Sequence, residues 1–217
     1  DYTDHGVNHS IELFRLFSDY LQNFDVDFSQ EEKLLISLAI WLHDIGCIVD
    51  RDKHNEHSAK LLKELDVFSA LKARLGDNLF KCLEYIIISH SSKYELHDIP
   101  KEPIHSKVNL PKCCALFRLI DDCDLSSNRV KVIYDVLKRY KLLTNNDAEV
   151  YWEAHSEIAC VNFRKYDGKG KIIICKDSEE DNILTEELRE KLKYLNGIFH
   201  EIGLPKLEIK IVVLEDI

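Results

Sequence analysis

Apolar positions recur every three or four residues through most of the chain and change to alternation only near its end. From about His5 to Leu21, Ile11, Leu13, Phe14, Leu16 and Phe17 make one apolar side, which predicts a first helix capped by Thr3-Asp4. The stretch FSQEEKLLISLAIWLHDIG, Phe28 to Gly46, follows. Ser29 with Glu32 three residues on is a capping box, and the run behind it is apolar nearly all round, so this helix should be buried. Gly46 can end it as a left-handed residue.

Further helices are predicted over Asn55–Leu65, Asp77–Ser89, Leu110–Cys123 and Ser126–Lys141, the last capped by Ser126 or Ser127. A polar loop with two prolines, Ser91–Lys107, separates the second and third of these. From about residue 148 two β-rich runs flank Asp167-Gly168-Lys169-Gly170, a hairpin signal. Thr185 caps a helix to about Ile202, and KLEIKIVVLEDI alternates as a strand. The expected fold is mainly α: a helical region at 1–147 and a small α+β appendage, hairpin–helix–strand, at 148–217.

Composition narrows the setting. Charged residues are 31% and hydrophobic ones 45%, and no apolar run approaches the roughly 18–20 residues that span a bilayer. No basic-then-apolar start reads as a signal peptide, so a cytoplasmic protein is expected, with no membrane partner. Seven cysteines without C-x-x-C spacing favour reduced, core-filling thiols. The net charge of −10 shows no basic footprint, which argues against a nucleic-acid partner. Arg129–Lys141 is the one dense basic run and reads as a solvated helix face.

The tetrapeptide LHDI occurs twice, at Leu42–Ile45 and Leu96–Ile99. With 10 histidines in the chain, about one His-Asp pair is expected by chance, so only the context is informative. The second copy precedes Pro100 in a loop and reads as an exposed turn. The first ends a buried helix, where His43 beside an ionised Asp44 is costly unless a cation or a satisfied pair compensates. Other groups favour the cation. His5 and His9 lie four apart on one face, His54 opens a helix, His90 ends one, and Asp121 sits within the apolar run ALFRLIDDCD. Such a mixed imidazole–carboxylate set suits Mn, Fe, Co, Ni or Zn, with Mg as a further candidate.

In that order, HSIEL at His9, LHDIG at His43-Asp44, HNEHSA at His54, ISHSS at His90 and RLIDDCD at Asp121 resemble the HD-domain metal-dependent phosphohydrolases. YTDHGVNHS and FRLIDDCDL are most similar to the HD-Ce subgroup, a relative of the HD-GYP proteins. The resemblance implies an HD-type helical bundle over roughly residues 2–129, with His9, His43, Asp44 and Asp121 as the core metal ligands. It further implies His54 and His90 as ligands of a second ion, with Asp44 bridging and central to catalysis, so one or two ions are expected. His5 falls where some HD-GYP members carry a ligand.

The departures are informative. Many members read HDxGK, and Cys47 stands at the lysine position here. His90 is followed by Ser91, and SHSSKYELHDIP replaces the HD-GYP signature, which argues against cyclic-di-GMP. The activity implied is hydrolysis of a small nucleotide-like phosphoester, with Lys93 and Arg129 as candidate substrate contacts. An HD-type nuclease and a non-catalytic nucleotide-sensing module of a larger protein are the alternatives. Assembly into a homo-oligomer is left open.

Overall fold

The computed structural model describes residues 6–140 and 146–214, the side chains of residues 129, 131, 132, 146 and 147 excepted. The protein is mainly helical, with a small three-stranded sheet in its C-terminal part. Contacts divide the chain into two units. One comprises Val26–Asp121 with Glu201–Leu204, and the other the described residues of Asp1–Asp25, Asp122–His200 and Pro205–Ile217.

The Val26–Asp121 unit holds α2 (Gln30–Leu42), α3 (His54–Glu64), α4 (Ser69–Ile88) and most of α5 (Leu110–Asp122). The capping box forms as expected: the Ser29 hydroxyl accepts from the Glu32 amide, and the Glu32 carboxylate accepts from Ser29 N–H. That carboxylate also accepts from Asn109 N–H at 2.9 Å and from Lys112 Nζ at 3.1 Å. A local cap therefore also ties the start of α2 to the start of α5. Leu35, Ile36, Ala39 and Ile40 are fully buried, as are Leu83, Ile86 and Ile87 of α4 and Leu116, Phe117 and Ile120 of α5. The expectation that α2 is buried all round is corrected. Leu34 and Trp41 are about half exposed, because the neighbouring helices cover only one side.

Gly46 is likewise corrected: it is not left-handed. The chain passes from α2 into a 3-10 turn at Ile45–Ile48, and Gly46 is needed for close approach to α3. A Cβ on it would lie 2.2 Å from the His54 carbonyl oxygen and 2.5 Å from the Ser58 nitrogen. Between α4 and α5 the expected polar loop contains a 3-10 turn at Leu96–Asp98, anchored by buried Leu96 and Ile99.

The other unit contains α1 (Val7–Asn23), α6 (Lys131–Arg139), α7 (Asn146–Ser156), β1 (Ile158–Tyr166), β2 (Lys169–Lys176), α8 (Ile183–Phe199) and β3 (Leu207–Val213). The proposed Thr3-Asp4 cap lies outside the described residues; α1 starts after Gly6 and buries Leu13, Leu16, Phe17 and Tyr20. Ile11, expected on the apolar side, is exposed instead. Asp167 and Gly168, both at positive φ, make the two-residue hairpin turn that the sequence signals. β3 runs parallel to β2, so the sheet order is β1-β2-β3.

β1 is an edge strand, and α1 supplies partners to its backbone. Arg15 donates to the Val161 carbonyl, and the Asp19 carboxylate accepts from Phe163 N–H. Three local readings change. α7 was not expected, and α8 is capped by Asn182, with Thr185 at the third helical position of its capping box. The expected helix over Ser126–Lys141 is a 3-10 turn at Ser127–Arg129 followed by the shorter α6. Among the described residues no helix is long and apolar enough to cross a membrane.

Candidate metal centre

Five of the side chains singled out from the sequence converge within the Val26–Asp121 unit. His43, His90 and Asp121 form one group of donor atoms lying within 4.8 Å of one another, and Asp44, His54 and His90 form a second. His43 is the C-cap of α2 and Asp44 the residue before the 3-10 turn. His54 opens α3, His90 follows α4 by two residues, and Asp121 lies in the last turn of α5. Helix ends thus deliver each group, while the apolar helix bodies bury the cluster: His43 and His90 are 1% and 5% exposed.

The ring nitrogens facing backbone determine the chemistry of the others. His43 Nδ1 lies 3.2 Å from the Ala39 and Ile40 carbonyl oxygens. His54 Nδ1 lies 2.6 Å from the Arg51 carbonyl, and His90 Nδ1 2.6 Å from that of Ile87. A carbonyl only accepts, so each Nδ1 carries the hydrogen and Nε2 is the nitrogen turned inward, with a lone pair in the neutral form that ligates a metal. In that form the lone pairs meet acceptors. His43 Nε2 is 3.3 Å from Asp44 Oδ2 and 3.5 Å from Asp121 Oδ1. His54 Nε2 is 3.3 Å from Asp44 Oδ1 and 2.8 Å from His90 Nε2. Neutral imidazoles and ionised carboxylates converging in this way repel one another unless a positive charge joins them. Imidazoles held through Nδ1–H to a carbonyl are in the tautomer and orientation that metal ligands use.

The titration of His43 shows the same demand for positive charge. Burial alone would lower the His43 pKa, but the Asp44 and Asp121 carboxylates reverse this and raise it to about 10. Burial, reinforced by His43, lowers His90 to about 4, so His90 remains a neutral donor. The carboxylates recruit positive charge, and a divalent cation satisfies the imidazoles as well. The donor set therefore fits such an ion. Cys47, at the position where many HD domains carry lysine, has its thiol pushed up to about 11 by burial and then by Asp44. It stays uncharged.

Several groups that sequence reasoning passed over hold this arrangement. The Ser58 hydroxyl donates to the His43 carbonyl and accepts from Gly46 N–H at 2.8 Å, fastening α3 to the HD turn. Asn55 Nδ2 donates to the Ile88 carbonyl at 2.8 Å. Arg118, 4% exposed, donates to the Ser89, Ser91 and Tyr94 carbonyls and so clamps the loop on both sides of His90. The visible signal for Arg118 was a cation inside an apolar helical run.

Of the remaining sequence candidates, His9 belongs to the other unit, buried on α1, with Nδ1 2.5 Å from Asp124 Oδ2. Asp124 was not singled out, and its burial is as complete as that of His9. His5 lies outside the described residues, as does the side chain of Arg129. Lys93 is exposed and donates to the Asp52 carbonyl at 2.9 Å, joining the loop after His90 to the loop before His54. In the second LHDI copy, His97 and Asp98 are exposed on the 3-10 turn, as expected.

A helical scaffold whose element ends gather imidazoles and carboxylates is the arrangement that defines HD-type metal-binding domains. The HD-CE family model matches residues 1–203, and the chain belongs to that family. HD domains bind divalent metals, and the His/Asp groups described here could hold one. A comparison with curated proteins found no match.

Proposed function

We propose that this protein is a metal-dependent phosphohydrolase acting on a small nucleotide-like phosphoester. The observation that carries the reading is the convergence of the His43, His54 and His90 Nε2 atoms on the Asp44 and Asp121 carboxylates, all acceptors in their ligand forms. Asp44 directs Oδ2 toward His43 and Oδ1 toward His54, which suits a carboxylate bridging two ions. His43 and Asp121 would serve one ion, and His54 and His90 the other. Ligand roles for His9 and His5 are proposed from the motif order.

Bound divalent ions supply a water of near-neutral pKa and stabilise charge on the phosphoryl oxygens. The chain's own contribution is orientation. Backbone carbonyls fix each imidazole, and Arg118 holds the segment carrying His90. Because Cys47 carries no charge, the cation for a substrate phosphate must come from elsewhere, and Lys93 and Arg129 are the proposed sources. A cytoplasmic setting belongs to the same proposal, as does the role of residues 148–217 as an appendage to a metal-binding region at 1–147.

Substrate size follows from charge. A polymeric nucleic acid is bound through many phosphate contacts along a basic track. This chain sets 39 acidic residues against 29 basic ones, and its basic runs, as at Arg129–Lys141, are short. A mononucleotide needs only the metals and one or two cations. The metal-loaded protein should therefore turn over members of a nucleotide panel and leave single-stranded oligonucleotides largely intact at moderate salt. Metal-dependent cutting of oligonucleotides without mononucleotide hydrolysis would favour a nuclease instead. Turnover of neither, with metal bound, would favour a nucleotide sensor.

A further inference from the structure

Cys160 on β1 and Cys175 on β2 are directly opposed partners in the antiparallel ladder, next to the irregularity at Ile158/Cys160. Opposed residues of an antiparallel pair have Cα atoms about 4.5–5.5 Å apart, within the roughly 4.4–6.8 Å that a disulfide spans. Both are half-buried, whereas Cys82, Cys113, Cys114 and Cys123 are fully buried. The sequence-based expectation of core-filling thiols therefore fits those four and not this pair.

We propose that Cys160 and Cys175 form a reversible disulfide, a modification site that takes a small disulfide oxidant such as oxidised glutathione. The inference stands independently of the hydrolase reading. Cys160 is the thiol that reacts first. Asn162 Nδ2–H donates to its Sγ at 3.3 Å, and the Arg15 guanidinium interacts electrostatically with it. Cys175 is held as a thiol, pushed up to about 11 by burial and then by its contact with Cys160, so it is the resolving partner.

The exchange balances. The Cys160 thiolate attacks one sulfur of oxidised glutathione, that S–S bond breaks, and one glutathione thiolate leaves. Cys175 then loses its proton to solvent and attacks Cys160 Sγ, releasing the second glutathione. The protein loses two electrons and two protons, and the oxidant becomes two thiols. Bridging draws Cys160 Sγ toward β2 and away from Asn162, whose Oδ1 accepts from Arg15 of α1 at 2.9 Å. Oxidation therefore bears on the link between β1 and the helix that carries His9.

The test is incubation of the folded, metal-loaded protein with oxidised glutathione at about pH 8.5, near the ordinary thiol pKa. Acid quenching, alkylation and non-reducing peptide mass analysis follow. Arg164, Lys165 and Lys171 lie between the two cysteines, so tryptic peptides separate them. The expected product is a cross-linked peptide pair joining Cys160 to Cys175 that disappears on reduction. Cys175→Ser should instead accumulate a glutathione adduct at Cys160, and Cys160→Ser should give no cross-link at Cys175. Complete alkylation of both cysteines in the wild type, or stable separate adducts on both without a cross-link, would overturn the proposal. The wild-type result decides the matter even if a serine variant fails to fold, which circular dichroism would reveal.

Discussion

Gly46→Ala should lower the unfolding free energy by about 3 kcal/mol or more, the upper end of overpacking costs, and should weaken metal binding at the same time. The new methyl group would sit 2.2 Å from the His54 carbonyl oxygen, 2.5 Å from the Ser58 nitrogen and 2.8 Å from His57 Cβ. Two of these are backbone atoms of α3, so no side-chain rotation relieves the clash. Either the HD turn or α3 must shift. Asp44 and His54, 3.3 Å apart across this contact, would be driven from their mutual geometry. Urea denaturation with parallel metal titration measures both effects, and an alanine variant of wild-type stability would show that the close approach is not obligatory.

Arg118→Met should be comparably damaging, at about 3–5 kcal/mol, although it preserves much of the side-chain volume. One guanidinium serves the Ser89, Ser91 and Tyr94 carbonyls. Hydrogen bonds to a charged group contribute about 1.5–3 kcal/mol each, less when shared, and the substitution takes the donor from all three carbonyls at once. His90 lies between two of those residues, so metal affinity should fall about 10–100-fold, as when groups supporting a ligand are lost. Arg118→Lys should be intermediate, since an ammonium keeps the charge but not the planar fork that reaches three acceptors. A stability loss without any change in metal affinity would show that the clamp is unrelated to His90 placement.

What the chain made legible was mostly local. The Ser29–Glu32 box, the Asp167-Gly168 turn and the helical ends at His43, His54 and His90 each rest on neighbours a few residues away, and the structure contains them. The misreadings share a cause. Gly46 looked like a left-handed stop because the rule for helix ends is local, whereas its true constraint is α3, eight residues further on. Asn182 rather than Thr185 caps α8, because in a reciprocal box the two residues exchange roles. α7 buries Trp152 and Ala154 but leaves Val150 about half exposed, so its periodicity was faint.

Arg118 and Asp124 were hidden for another reason. Their meaning lies in partners 24–29 and 115 positions away, which no spacing rule reaches. The Cys160–Cys175 pairing likewise depends on strand register. The candidate metal ligands differ from these. Each candidate looked ordinary alone, and only the ordered series of histidines and aspartates across successive helices pointed to a common centre.

Metal content per chain is the most direct measure of that centre. After loading with Mn and desalting, the wild type should retain about two ions, as expected for a two-metal site. Asp98→Ala, in the exposed LHDI copy, should retain as many. Asp44→Ala should lose nearly all bound metal, because it is the proposed bridge between the two ions, and the double variant His54→Ala/His90→Ala should keep about one ion. Equal metal content in Asp44→Ala and Asp98→Ala would contradict the assignment.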